Sequence, residues 1–474
     1  MPRPGGDIDV ERGSRLAAPF AFPAEHRPDV LGFHLEAPPA RPLDRAMAAA
    51  RAACGPYGIV SRCRSFATAP GLPTLPVYVA RGPRRGLGEH HHGFDIVGMG
   101  VSEDHEMAWL KAVAEAVERY CFALGHDPST VLRASHDDVA GWAVPLSRFG
   151  LLSDRQYVST PKVCRPAPDQ PIDWTWAWSL DDQRFHLVPA ALVYPSVGFQ
   201  PPNNFTRWVM STGLATHIST EAAILAGVYE VVERDALMIH WLHHRAPRRV
   251  VVEPGRTDAV AALVRTHFTL PDFEFVLLDM TPDSGIPTIA CLALSDDPAR
   301  PSLTMGAASR LDPSEAAAKA LFETAQLLAG FHGLGWDSRT SIERADIRTL
   351  WDNAHFYAGA EGGDSARFMV SSPERVALHD LPNLATGTPA GDLATCVDRL
   401  RGVGLEVLAT ELTSADVARC GFRTTKVFAP GAVDIHGDAR YPLLGSPRIR
   451  TMPAALGWPA LDEDELNLAP CPMS

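Results

Sequence analysis

The sequence predicts a mixed α+β fold in which several long helices lie over large mixed β-sheets. Three observations carry that prediction. Ala- and Leu-rich stretches with helical spacing recur from about Ser102 to Gly125, from Ser219 to His244 and from Asp312 to Gln326. Strand-like segments, among them Arg249 to Val252, Phe273 to Leu278 and Thr288 to Leu294, recur, and long β-only stretches intervene between the helices. Helices and strands therefore alternate without the regular beat of a doubly wound sheet.

The elements follow in order. Residues 1–55 form a Pro- and Gly-rich lead-in that ends in a short helix, Leu43 to Cys54, stopped by Gly55-Pro56. Strands are expected at Tyr57 to Val60 and Leu75 to Ala80, followed by a basic turn at 81–85. The first long helix starts after Ser102 and ends near Gly125. Trp174, Trp176 and Trp178 alternate, which predicts a strand with one aromatic face, and Phe185 to Pro189 predicts a second. The next helix runs from a Ser219 or Thr220 cap toward His244, and Pro247 closes it. Strands follow at Arg249 to Val252, Phe273 to Leu278 and Thr288 to Leu294. The third long helix opens at Asp312-Pro313-Ser314-Glu315, a cap with Pro in the first turn and Glu three residues on. Residues 356–390 carry Gly-, Ser- and Pro-rich patches and read as an insertion or mobile loop. Helix 391–403, strand 405–410, helix 414–419 and strand Thr424 to Phe428 complete the pattern, before a Pro-containing tail at 466–474.

Bulk properties narrow the function. The chain of 474 residues is 46% apolar, which indicates a globular protein with ample core. A net charge of −13 argues against general affinity for nucleic acid or anionic membranes. No secretory h-region opens the chain, and charge or Pro interrupts every apolar run before it reaches membrane length. The eight cysteines are scattered without a Cys-x-x-Cys pair, which fits a reducing cytoplasm.

One pattern carries chemistry. Glu-x-x-Glu-Arg occurs twice, as Glu115, Glu118, Arg119 and again 115 positions later as Glu230, Glu233, Arg234. Residues three apart on a helix share a face. Paired carboxylates beside a guanidinium suit a hard divalent cation and the phosphates it carries. A solvated helix face explains most single pairs of this kind, but two copies in similar apolar surroundings favour a site. No Gly-rich loop with Gly-Lys-Ser or Gly-Lys-Thr exists, so any nucleotide is bound without a P-loop.

Four ordered stretches add a resemblance. They are Gly98-Met99-Gly100-Val101-Ser102 with Glu115 to Arg119, and Ser211-Thr212-Gly213-Leu214-Ala215 with Glu230 to Ala236. The third is Asp312-Pro313 with Ala320 to Gln326. The fourth is Thr425 to Gly431 with Leu443-Leu444-Gly445 and Arg448. In these the chain resembles the YcaO family, specifically the azoline-forming cyclodehydratase (D protein) branch of thiazole/oxazole-modified microcin biosynthesis. The resemblance implies a YcaO-type fold over residues 56–465, with an acidic ATP and Mg2+ site between helices. Its implied activity is ATP-dependent closure of thiazoline or oxazoline rings, from Cys, Ser or Thr of a ribosomal precursor peptide. Carried over residue by residue, Glu115, Glu118, Glu230, Glu233 and Glu323 hold Mg2+. Lys111, Arg119, Arg234, Gln326 and Lys426 contact the nucleotide. Azoline-forming members end in a Pro-x-Pro-x-Pro tail directed into the active site, and the matching positions here are Pro470, Pro472 and Ser474. Such a tail is a stiff extended rod.

The chain departs from the family pattern at Met99, Lys111, Ile218, Ala222 and Lys426, where Lys, Ser, Asn, Glu and Arg are usual. Ile218 and Ala222 remove a hydrogen-bonding and a ligating side chain, and Glu221 is rotated by about 100° from Ala222 on a helix. Two other readings therefore stand beside the enzyme: a non-catalytic YcaO scaffold subunit, and a YcaO enzyme that forms a thioamide or amidine. A lead-in of about 60 residues is too short for a ubiquitin-activating-enzyme-like domain, so a separate leader-peptide-binding partner is expected. A flavin-dependent azoline oxidase and a homodimer complete the implied assembly, with no nucleic acid and no membrane.

Other features carry less. Glu89-His90-His91-His92 reads as a polar loop, because consecutive histidines cannot all face one ion. His240 and His244 share a helix face without the Glu of a metalloprotease motif. Cys121 reads as core, and nothing near Cys471 in sequence activates it as a nucleophile.

Overall fold

A computed structural model describes residues 33–66, 68–83, 96–125, 128–159, 163, 165, 167–195, 197, 210–253, 258–333, 342–436, 438, 440–459 and 461–473. In chain order, α1 (Pro42–Ala53) precedes β1 (Arg62–Phe66), β2 (Val77–Arg81) and β3 (Val97–Val101), and α2 (His105–Leu124) follows. Next come β4 (Leu132–Ala134), β5 (Ile172–Ser179), β6 (Phe185–Pro189) and β7 (Leu214–His217), then the long α3 (Thr220–Leu242). β8 (Arg248–Val251), α4 (Ala259–His267), β9 (Glu274–Asp279), β10 (Thr288–Leu294) and β11 (Leu303–Ser309) lead into α5 (Pro313–Gly333). The rest comprises α6 (Leu350–Ala358), α7 (Ala360–Ala366), β12 (Arg375–Ala377), α8 (Pro389–Gly402), β13 (Leu408–Glu411), α9 (Ala415–Cys420), β14 (Arg423–Phe428) and α10 (Arg448–Ala455).

The strands form three sheets, in the orders β1-β2-β3, β11-β10-β9-β8-β12 and β4-β5-β13-β14-β7, with β6 paired to β5. β3, β7 and β11 thus each lie at the edge of a different sheet, and each is followed directly by one of the three long helices. Packing closes these units into a ring. α2 lies on β3 and touches β7, α3 lies against β7 and touches β11, and α5 lies on β11 and touches β3. Mixed α+β architecture is therefore observed, as the sequence predicts.

Local chemistry sets the helix starts. Asp104 accepts the Met107 N–H at the head of α2, Ser219 accepts the Ala222 N–H at α3, and Asp312 accepts the Ser314 N–H beside α5. α2 buries one apolar stripe, whereas α3 is buried nearly all round and runs through the middle of the molecule. Gly98 and Gly100 let α2 press onto β3. A Cβ at Gly98 would lie 2.2 Å from the Ala112 carbonyl oxygen, and one at Gly100 2.1 Å from that of Ala108. Gly213 takes a positive φ of 79° at the entry to β7, which a residue with a Cβ adopts only at a cost.

Several expectations shift. The segment Tyr57 to Val60 is not a strand: Tyr57 is fully exposed, and Val60 makes only a bridge to Cys54. Strands β1, β3, β4, β7 and β11 arise where no strand was expected. Residues 356–390 are not simply a loop. Apolar Phe356, Tyr357 and Met369 are buried there, α7 lies inside the stretch, and β12 pairs in parallel with β8. The tryptophan strand is confirmed as β5, with Trp174 fully buried and Trp176 and Trp178 edge-on to Phe185. Residues 1–32, the basic turn beyond Pro83, Glu89-His90-His91-His92, Cys164 and Ser474 lie outside the described residues. No helix among the described residues is long and apolar enough to cross a membrane.

The close approach of α2 to β3 makes a direct prediction. Gly100→Ala overpacks a helix–sheet contact made of backbone and should cost about 1–3 kcal/mol, read as a lower denaturant midpoint. Gly402→Ala, at a position with nothing within 4 Å of the added Cβ, should leave the midpoint within experimental scatter or raise it.

Candidate functional site

The ring of three helices encloses a cavity of about 640 Å³. Glu115 and Glu118 from α2, Glu230 and Glu233 from α3, and Glu323 from α5 all line it, with Arg119, Arg234, Lys111 and Gln326. Acidic side chains far apart in sequence thus meet in one place. The two Glu-x-x-Glu-Arg copies are built alike. The Met99 N–H donates to Glu115 at 2.9 Å, and the Gly213 N–H donates to Glu230 at 3.0 Å. Arg119 then reaches Glu115 at 3.4 Å, and Arg234 reaches Glu230 at 3.1 Å. Glu118 takes the Thr216 N–H at 3.2 Å, across from its own helix to β7. All three donors sit on or beside sheet edges, where no further strand claims an amide.

Glu233 is the most enclosed of the five, 3% exposed and 3.2 Å from the Arg234 guanidinium. Burial pushes its carboxyl up to about 7, with Glu323 and Glu230 adding to the rise while Arg234 and Lys319 oppose it. Burial also holds Glu118 well above the usual carboxylate range, and Glu230 and Glu115 add to it against the pull of Arg119. Glu115 is raised by burial too, though Arg119 and the Met99 N–H pull the other way. These five carboxylates crowd one cavity, and burial disfavours their charge at three of them. Arg119 Nε and Arg234 Nε are buried without a hydrogen-bond partner among the described residues. Hard oxygen donors with orphaned guanidinium N–H groups beside them fit a divalent cation that carries a phosphate.

Not every expected residue is here. Lys426 is buried away from this cavity, where its ammonium donates to the backbone carbonyls of Met210 and Thr212 and fixes the entry to β7. A residue that ties down a loop in this way has few donors left for a nucleotide. Pro470 and Pro472 are buried in a segment held by α3 and α6. Trp241 Nε1 donates to the Ala469 carbonyl at 2.7 Å, and the Tyr357 hydroxyl donates to that of Pro470. Met473, at the end of this segment, lines the acidic cavity. Ile218 is packed among apolar side chains of α1, α2 and α9, and Ala222 is buried as well.

Sequence reasoning missed Arg310 and Lys319, which also line the cavity. Lys319 pairs with Glu323, and its position four residues before that Glu was the available signal. Arg310 gave none, because it precedes the helix cap and reaches the site only through the fold.

Other candidates resolve simply. Cys121 is buried, and burial pushes the Cys471 thiol up to about 12, so neither is a thiolate at neutral pH. Burial pushes His240 down to about 4, its Nδ1 bonded to the Ala236 carbonyl, and His243 Nε2 bonds the Ile449 carbonyl. Asp182, His186 and Glu406 bring ligand atoms within 4.8 Å of one another, but Glu406 is already engaged by Arg148 and Ser179. A larger cavity of about 820 Å³ lies between the Leu146–Tyr157 region and residues 444–466, and two of its three arginines, Arg155 and Arg165, are paired to Asp464 and Asp154. It gathers no carboxylate cluster, so we place the candidate site at the acidic cavity.

Comparison with known proteins identifies the family and the fold. A family model described as YcaO cyclodehydratase, ATP- and Mg2+-binding, matches residues 99–433. An uncharacterized protein of Methanothermobacter thermautotrophicus is 32% identical over 269 residues, 55% of this chain and 65% of the relative. Among solved structures, a heterocyclase in complex with substrate and cofactor superposes with a TM-score of 0.76. It is 24% identical, and the match covers 94% of this chain and 59% of that one. The YcaO protein of Methanopyrus kandleri, bound with AMPPCP and Mg2+, gives a TM-score of 0.57 at 20% identity, over 79% of this chain and 86% of that one. At these identities the structural likenesses show the fold. The chain spans less than two thirds of the length of the Methanothermobacter relative and of the heterocyclase.

The raised carboxyl of Glu233 sets a pH dependence. Its folded pKa of about 7 lies above the ordinary 4.5, so its contribution to stability is full below pH 4.5 and is lost as pH rises through 7. Without added divalent cations, the protein should melt at a lower temperature at pH 8 than at pH 5.5. Glu233→Gln should shrink that difference, in thermal unfolding followed by circular dichroism.

Proposed function

The chain belongs to the YcaO family, and on that premise we propose that it is an ATP-dependent cyclodehydratase subunit of the thiazole/oxazole-modified microcin type. Its substrate is a ribosomal precursor peptide. A Cys, Ser or Thr side chain of that peptide adds to the preceding backbone carbonyl, and the former amide oxygen leaves, so that each azoline ring costs the peptide one water. ATP with Mg2+ supplies the phosphoryl group that makes this oxygen a leaving group. The observation that carries the reading is the convergence of five glutamates from three helices on one cavity, with two orphaned guanidinium Nε atoms among them.

In this reading Glu115, Glu118, Glu230, Glu233 and Glu323 hold the cation. Arg119 and Arg234, each already aligned by a carboxylate of its own helix, direct their remaining N–H groups at phosphate oxygens. Gln326 offers a polar contact from α5. The segment with Pro470 and Pro472 borders the cavity through Met473 and limits how the peptide enters, and Ser474 takes the tail's last position in the sequence. Cation binding needs Glu118 and Glu233 ionised, so Mg2+ competes with their protons and binds better as pH rises through neutrality. A separate leader-binding protein presents the precursor, a flavin-dependent oxidase acts on the azolines, and the subunit works as a homodimer. Lys426, tied to backbone carbonyls, supports the site from outside it.

A second reading has its own observation. Ile218 and Ala222 place apolar surface where the family usually offers Asn and Glu, and Ile218 is embedded in the core. A scaffold subunit, which binds no nucleotide and serves a catalytic partner, follows from that.

Incubation with precursor, leader-binding partner, ATP and Mg2+ separates the readings by mass spectrometry. Cyclodehydration removes one water mass per ring, and Glu118→Ala or Glu233→Ala should lower the rate by about a hundredfold or more, through lost charge stabilisation of several kcal/mol. Thioamide or amidine formation leaves a different mass change. An unmodified precursor, with no heat of nucleotide binding, would instead support the scaffold.

A further inference from the structure

Two cations of the acidic cavity have no carboxylate to hold. Of the five that line it, Arg119 is paired with Glu115, Arg234 with Glu230 and Glu233, and Lys319 with Glu323. Lys111 and Arg310 form no ion pair among the described residues. The Lys111 ammonium donates to the Val101 carbonyl at 3.0 Å and lies 4.8 Å from the centre of the Phe322 ring. The Arg310 guanidinium donates to the Ser309 carbonyl at 2.6 Å and lies 4.7 Å from the centre of the Tyr229 ring. Carbonyl oxygens and ring faces orient a cation and leave its charge uncompensated. Each of these groups also has donors to spare, three on an ammonium and five on a guanidinium.

The two lie near each other. Lys111 belongs to α2 and Arg310 directly follows β11; both line the cavity with Phe322 and Lys319, close enough for the Arg310 charge to act on Lys111. The Lys111 ammonium is lowered to about 8, first by its desolvation and then by the charges of Lys319 and Arg310, which outweigh the opposing pull of Glu323. Like charges held together beside a cavity, on aromatic supports, are stabilised by an anion that enters it. The carboxylates already account for a bound cation. What Lys111 and Arg310 add is a place for negative charge beyond that which the cation neutralises.

We propose that Lys111 and Arg310 form a clamp for the terminal phosphate of a nucleoside triphosphate, and that this clamp makes the site prefer a triphosphate to a diphosphate. The inference rests on the ATP reading above and adds two specificity-determining residues to it. It narrows the nucleotide contact expected of Lys111 to the terminal phosphate and sets Arg310 beside it.

Calorimetric titration with Mg2+-AMPPCP and with Mg2+-ADP tests it, using the full chain and the variants Lys111→Met and Arg310→Met. The wild type should bind the triphosphate analogue more tightly. Each variant should weaken AMPPCP by about tenfold or more, change ADP by less than about twofold, and keep the wild-type melting temperature. Lys111→Arg should retain most of the preference. Equal weakening of both nucleotides, or no change in either, overturns the clamp while the ATP reading stands. A wild type that binds neither nucleotide overturns both.

Discussion

The structure depends on a small set of hydrogen bonds between sheet edges and helix carboxylates. An edge strand leaves amide groups that no neighbouring strand takes up, and these groups require a partner when buried. Here Met99, Gly213 and Thr216 give their N–H groups to Glu115, Glu230 and Glu118, and Gly306 of β11 gives its own to the Thr324 hydroxyl. Each bond ties a helix to a strand and fixes where a side chain stands. Glycines at 98, 100 and 306 permit it, because a Cβ at any of them would meet helix backbone within 3 Å. Three sheets that share no strand are joined in this way through three helices.

That arrangement explains why carboxylates tolerate such crowding. Burial raises Glu115, Glu118 and Glu233, which favours their protonated forms as long as no cation neutralises them. Desolvated acids of this kind are poor contributors to stability and good ligands. The backbone N–H groups and the two arginines keep the carboxylates in position without neutralising the whole cluster. The carboxylates are therefore held in place by the fold itself, which is the preorganisation that the proposed cation site requires.

α3 serves two masters through its helical register. Glu230, Glu233 and Arg234 line the cavity, but Asp235, rotated by about 100° from its neighbour, turns into the core. There it meets Arg448 at 2.6 Å and accepts the Val433 N–H at 2.9 Å, while Arg448 also bonds Asp283. A buried guanidinium shared by two carboxylates, with its hydrogen bonds satisfied, fixes α10 and the loops before it against α3. Trp241, two turns further along, holds the segment that ends beside the cavity. One helix thus carries both the cavity-lining side chains and those that anchor α10 and the segment ending at Met473.

Much of this was legible in the chain. The Glu-x-x-Glu-Arg spacing placed carboxylate pairs on single helix faces, and Ser219 and the Asp312-Pro313 start marked helix beginnings within a residue or two. Those features are local, because capping and helical periodicity act over one or two turns. Strands β1, β7 and β11 were not legible: they are short or contain Gly and Ala, and they are strands because other strands pair with them. Lys426 likewise looked like a phosphate contact, and only the loop it ties down shows otherwise. By itself the sequence determined which side chains could face together along each helix. That the three helices meet, that Arg310 joins them, and that edge amides hold the acids in place were decided by tertiary structure, since bonds between residues far apart in the chain have no local signature.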